Sequence, residues 1–97
     1  MKPSEALKLH RDGIRRIVEN NNALNPRVFG SVVHGEDTEE SDLDILVDAI
    51  DGKTTLISLA SIQIGIQELT GIKADVRTPL DLHERFRSQV VTEAQPV

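Results

Sequence analysis

The chain has 97 residues, 38% of them hydrophobic, and a formal net charge of −5, which suits one domain, residues 1–97, with a single modest core. The acidic balance and the near absence of aromatics, Phe29 and Phe86 alone, argue against direct nucleic-acid binding, which draws on a basic face and stacking rings. With no cysteine for disulfides, zinc knuckles or thiol chemistry, and no signal-like or bilayer-length apolar run, the expectation is a cytoplasmic domain without a membrane partner.

Residues 4 to 22 read as an amphipathic helix capped by Ser4, with Leu7, Ile14, Ile17 and Val18 at helical spacing. Asn20-Asn21-Asn22 and Asn25-Pro26 stop it, and Arg27 to Phe29 forms a short strand running into Gly30-Ser31. Residues 32 to 41 are a connection, and Leu43 to Val47 is the second strand. Asp51-Gly52 turns the chain, Thr54 or Thr55 caps a second helix, and Gly71 ends it. Leu56, Leu59, Ile62, Ile66 and Leu69 form that helix's core-facing stripe. Ile72 to Arg77 is a third strand. Thr78-Pro79-Leu80-Asp81 then opens a last helix carrying Leu82, Phe86 and Val90, and Gln95-Pro96-Val97 reads as a frayed tail. The order is αβ(turn)βαβα, an α+β domain with a small mixed sheet of three strands or slightly more.

The chemistry lies in Gly30-Ser31, Gly35 and Ser41-Asp42-Leu43-Asp44. Side chains alternate along a strand, so Asp42 and Asp44 share one face while Leu43 and Ile45 take the other. Asp75, between Ala74 and Val76, follows the same rule on the third strand. If the two strands are neighbours, three carboxylates converge and can hold a pair of Mg²⁺ ions for an in-line phosphoryl displacement. Gly30 lets backbone N–H groups approach phosphate oxygens, and Ser31 can donate its hydroxyl to them. A short helix beginning at Ser31 would also aim its positive end at a triphosphate. Gly35 allows a sharp turn before the acidic strand.

The segment FGSVVHGEDTEESDLDILV, residues 29–47, resembles the signature of the DNA polymerase β-like nucleotidyltransferases. More narrowly, it is similar to the minimal nucleotidyltransferase (MNT) antitoxins of HEPN/MNT toxin–antitoxin pairs. The similarity continues through ELTGIKADVRTP and RFRSQVVTEA, covering roughly residues 27 to 94. It implies the mixed-sheet palm fold, ATP as donor and Mg²⁺ as cofactor. By the same resemblance Gly30 and Ser31 hold the triphosphate, with Gly35 and Ser41 completing the nucleotide-binding signature. Asp42 and Asp44 ligate the metals, and Asp75 completes the site and helps to activate the attacking hydroxyl. Family members transfer AMP to a tyrosine of the partner toxin. His34 departs from the Arg of many relatives and stands open between a substrate contact and a neutral loop position.

Other charged groups have plainer readings. Asp37, Glu39 and Glu40 read as a solvated loop, His10 and His83 as solvated helix positions, and Arg85 and Arg87 as a solvated last helix. A chain this size is expected to lack a second domain for an acceptor pocket, so a separate subunit would supply the acceptor. The resemblance implies a HEPN-type partner in a hetero-oligomer. The competing readings are a non-catalytic antitoxin that occludes its partner, and an oligomeric small-molecule nucleotidyltransferase.

Overall fold

Pro3 needs no N–H partner in a first helical turn, and with it the chain enters α1 (Pro3–Asn20) in the computed structural model, which describes residues 1–97. Ala6, Leu7, Ile14 and Val18 bury one face of α1. The cap is Lys2 rather than Ser4. Ser4 lies inside the first turn, and its orphan N–H donates to Asp37 Oδ2 at 2.9 Å.

Asp37 is therefore a long-range cap on α1 rather than a solvated loop residue. That backbone hydrogen bond, first among several causes, holds its carboxyl below the ordinary 3.8. Asp37→Ala should cost about 1 kcal/mol, the usual worth of a cap. A lowered folded-state pKa means that the contribution is present above the unfolded value and lost as pH falls through the folded one. Urea unfolding at pH 7 and again at pH 2.5 checks this, and the difference between variant and wild type should be larger at pH 7.

Strand β1 (Ala23–Phe29) is longer than the expected 27–29 and pairs antiparallel with β2 (Leu43–Ala49). It absorbs Asn25-Pro26 as a bulge, with pairing stepping from Leu24–Asp48 to Arg27–Leu46. Asn25 takes a left-handed φ of 52° there, which Asn tolerates better than most residues. Proline cannot donate to a ladder, but the Pro26 carbonyl accepts the Val97 N–H at 3.0 Å. The expected frayed tail is instead a short strand, β4 (Gln95–Pro96), antiparallel to β1. Val97 is buried, and its carbonyl accepts from Arg15 Nε at 2.7 Å. An apolar last side chain that finds the core holds the tail down.

Helix α2 (Leu56–Thr70) starts at Thr55, whose hydroxyl accepts the Ser58 N–H, and stops at Gly71 in the left-handed conformation. Its inward stripe is narrower than expected. Ile62 and Ile66 are fully buried and Leu59 packs at their margin, but Leu56 is 83% exposed. Leu69 lies against Gly13 of α1, where a β-carbon would come within 2.6 Å of its Cδ2. Close approach of the two helices therefore depends on the missing side chain at Gly13.

The chain returns as β3 (Ala74–Arg77), parallel to β2, giving a four-stranded mixed sheet in the order β3-β2-β1-β4. As an edge strand β3 would leave N–H groups unpaired. Two glutamines of α2 meet them: Gln67 Oε1 accepts from Ala74 at 3.1 Å and Gln63 Oε1 from Val76 at 3.4 Å. The core lies between one sheet face and the two long helices, with Leu43, Ile45 and Val47 of β2 fully buried among Ile14, Val18, Ile62 and Ile66.

The last helix does not begin at Thr78. Thr78 and Asp81 form the expected capping pair, the Thr78 N–H donating to Asp81 Oδ2 at 2.9 Å, but around a single 3₁₀ turn, Pro79–Asp81. Leu82 is buried and leaves the chain extended, with φ −79° and ψ 142°, so a second start is needed. His83 supplies it, accepting the Arg85 N–H on Nδ1 at 3.0 Å, and α3 runs Glu84–Glu93. Arg87 is not solvated either. Its guanidinium donates to the Pro79 carbonyl at 2.8 Å and the Leu82 carbonyl at 3.1 Å, tying α3 to the turn. Of the expected inward series only Leu82 is buried, and no residue of α3 is.

Candidate active site

Asp44 sits on the sheet face opposite the helices. Its neighbours Leu43 and Ile45 are fully buried, so alternation turns its carboxylate outward. Across the ladder it faces Phe29 of β1 on one side and Asp75 of β3 on the other. Residues opposite each other in adjacent strands project to the same side, and Asp44 and Asp75 thus form a carboxylate pair. Asp42 lies just before β2 begins, two residues from Asp44.

Burial and crowding together act on the protonation of Asp44, whose pKa is pushed from 3.8 up to about 6. Burial is the largest cause, followed by the charges of Asp75 and Asp42, while Arg77 opposes them. Arg77 Nε sits 3.2 and 3.1 Å from the two oxygens of Asp75. Asp75 is therefore both half of the carboxylate pair and the anchor of an ion pair. Three carboxylates are not gathered into a ready-made metal cage, since no trio of His, Asp or Glu side chains lies within common ligating reach. The donor chemistry nonetheless suits a hard cation, because Mg²⁺ is commonly held by one or two carboxylates, with waters and substrate phosphates filling its octahedron.

Where β1 ends, Gly30 takes φ +73°, and a β-carbon there would strike Asp44 Oδ2 and lie 3.2 Å from its Cγ. Space and conformation both demand glycine at this point. The helix expected from Ser31 does not form. Residues 30–35 are successive turns, closed by the His34 N–H on the Gly30 carbonyl and the Glu36 N–H on the Ser31 carbonyl. These turns leave the N–H groups of Ser31, Val32 and Val33, and the Ser31 hydroxyl, without partners in the protein. Consecutive free N–H groups beside a left-handed glycine are the makings of an anion nest, whether or not a helix follows. Gly35 has φ +68° with open space around it, so its role is to turn the chain. The Ser41 hydroxyl is spent on the loop, accepting the Thr38 N–H at 2.9 Å.

Beside Gly30 a pocket of 280 Å³ opens between the end of β1 and α3. Phe29, Phe86 and Val90 form its walls, and His34, Gln89 and Glu93 carry its polar groups. His34 Nε2 lies 2.8 Å from Glu93 Oε2, a contact spanning 59 positions in the chain that no local pattern announces. A larger cavity of 360 Å³, lined by α1, β1 and the Gln95-Pro96 strand, contains none of the site carboxylates.

The nucleotidyltransferase domain family matches residues 8–97, and the chain belongs to it. A protein of Methanocaldococcus jannaschii named "Putative protein adenylyltransferase" is 34% identical over 70 residues, covering 72% of this chain and 74% of that one. A solved structure described as a "putative minimal nucleotidyltransferase" shares 36% identity, with a TM-score of 0.84 over 97% of this chain and 95% of that one. A tri-AMPylated HEPN toxin of Shewanella oneidensis in complex with an MNT antitoxin matches at a TM-score of 0.67 and 20% identity, covering 92% of this chain and 69% of that one. At that identity the similarity speaks to the fold. The α+β fold is thus that of the minimal nucleotidyltransferases in the polymerase β-like superfamily, and the chain is an enzyme of the nucleotidyltransferase class.

Proposed function

We propose that this protein transfers AMP from ATP to a hydroxyl, the tyrosine of a HEPN-type partner, and so acts as an antitoxin. The observation that carries the reading is the in-register pair Asp44 and Asp75, set beside Gly30 and a turn of unpartnered N–H groups. The names of the relatives support protein adenylylation, and the solved complex supports a HEPN toxin as partner.

In this reading the N–H groups of residues 31–33 and the Ser31 hydroxyl bind the triphosphate and fix the α-phosphorus against the sheet face. Asp42, Asp44 and Asp75 would hold two Mg²⁺ ions, which supply neutralisation of phosphate charge and alignment of entering and leaving oxygens. The tyrosine oxygen forms a bond to the α-phosphorus and the bond to the β-phosphate oxygen breaks, releasing pyrophosphate. The phenolic proton passes to a carboxylate of the site, Asp75 being the one at the sheet's open edge. Its ion pair with Arg77 orients that carboxylate. The acceptor side chain comes from the partner in this reading, as the solved complex of a HEPN toxin with an MNT antitoxin suggests.

The test is pyrophosphate release from Mg·ATP on adding the purified partner. Wild type should release it, and Asp42→Ala should fall to background. Equal release by the two proteins, or none from either, sinks the enzymatic reading. Neutralisation of the toxin in cells by Asp42→Ala would then point to simple occlusion.

A further inference from the structure

The pocket beside Gly30 has the chemistry to choose the donor's base. Its walls, Phe29 and Phe86, offer apolar faces to a flat ring, and it adjoins the glycine that starts the phosphate-binding turn. Within it Gln89 Nε2 donates to Glu93 Oε1 at 3.1 Å. Glu93's other oxygen meets His34 Nε2 at 2.8 Å.

A carboxylate can only accept, so Glu93 fixes which end of the Gln89 amide faces it. That leaves the amide oxygen and the second N–H of Gln89 free of protein partners. An oxygen acceptor beside an N–H donor is the pattern that pairs bidentately with adenine, taking its exocyclic amine and an adjacent ring nitrogen. Guanine presents a carbonyl where adenine presents the amine, and that carbonyl would meet the Gln89 oxygen acceptor to acceptor.

The geometry points to Gln89 as the residue that selects an adenine nucleotide, and to Glu93, itself held by His34, as the positioning residue that keeps the Gln89 amide from flipping. This rests on the reading of Gly30-Ser31 as the triphosphate site. It gives His34 a role that needs no direct phosphate contact, and it gives α3 a reason to lie beside the sheet with no buried residue of its own.

Equilibrium binding of ATP, GTP and inorganic tripolyphosphate with Mg²⁺ tests it without requiring transfer. Wild type should prefer ATP over GTP, and Gln89→Ala should reduce that preference by about tenfold, the scale of a lost bidentate pair. Glu93→Gln, which permits either amide orientation, should reduce it similarly at an unchanged melting temperature, and tripolyphosphate should bind all three proteins alike. An ATP:GTP ratio unmoved in both variants overturns the proposal, as does an equal loss of tripolyphosphate. Tripolyphosphate binding that Ser31→Ala abolishes, with an unmoved ratio, would leave the phosphate reading standing and this one overturned. A ratio that responds while AMP transfer fails would uphold the base pocket and sink the proposed reaction.

Discussion

Asp44→Asn is expected to raise the melting temperature of the metal-free protein at pH 7.5 while abolishing AMP transfer. Folding lifts the pKa of Asp44 from 3.8 to about 6, so the folded protein holds a proton there that the unfolded chain has released. Stability therefore declines as pH rises from about 4 through 6, and above that the full penalty is present. Two pKa units correspond to nearly 3 kcal/mol. Allowing for residual solvent screening at this half-buried position, about 2 kcal/mol should return on substitution, or roughly 10 °C for a domain of this size. The gain should vanish at pH 4, where wild-type Asp44 is itself protonated. Mg²⁺ should stabilise wild type at pH 7.5 and leave Asp44→Asn unmoved, since relief of carboxylate repulsion is what a divalent cation supplies. Thermal unfolding with chelator and with Mg²⁺, at the two pH values, reads all of these outcomes. A variant no more stable than wild type would mean that burial and the neighbouring carboxylates do not penalise an ionised Asp44.

Gly30→Val is the second substitution with a large consequence, and it separates two roles of glycine in one loop. A side chain at Gly30 meets a left-handed backbone and the Asp44 carboxylate together. The backbone alone costs about 1–2 kcal/mol. The collision pushes Asp44 off its position, and transfer should fall by at least two orders of magnitude, in keeping with the cost of small misplacements at a reacting centre. Gly35→Ala meets the backbone penalty with nothing in its way. Its melting temperature should drop by a similar backbone cost, while transfer stays within about tenfold of wild type. Comparable rates for the two variants would show that Gly30 serves only to turn the chain.

How much of this was legible beforehand divides along local and non-local lines. Thr55, Gly71 and the Thr78–Asp81 pair act through neighbours a few positions away, and their side-chain chemistry announced them. Strand alternation placed Asp44 and Asp75 opposite their buried neighbours from period alone. What period cannot supply is register, and the parallel pairing of Asp44 with Asp75 depends on where α2 returns the chain. The differences between expectation and structure are of that kind. From its neighbours Asp37 reads as solvated but it meets the Ser4 N–H across the fold, and the tail reads as frayed but pairs with the edge of β1. The helix expected after Ser31 failed because Gly30 in a left-handed conformation starts a series of turns, yet the free N–H groups survive in the turns themselves. Gln89 and Glu93 stand four apart on α3, but the contact of Glu93 with His34 has no local signal, since it is made by α3 folding back over the end of β1.

Intact-mass analysis of the purified HEPN-type partner after incubation with this protein, ATP and Mg²⁺ tests the central claim most directly. The partner should gain the mass of one or more AMP groups with wild type and none with Asp44→Asn, and a tyrosine should carry the adduct. A partner that stays unmodified while its toxicity is still neutralised would contradict the account, and would make the carboxylate pair of β2 and β3 idle in this protein.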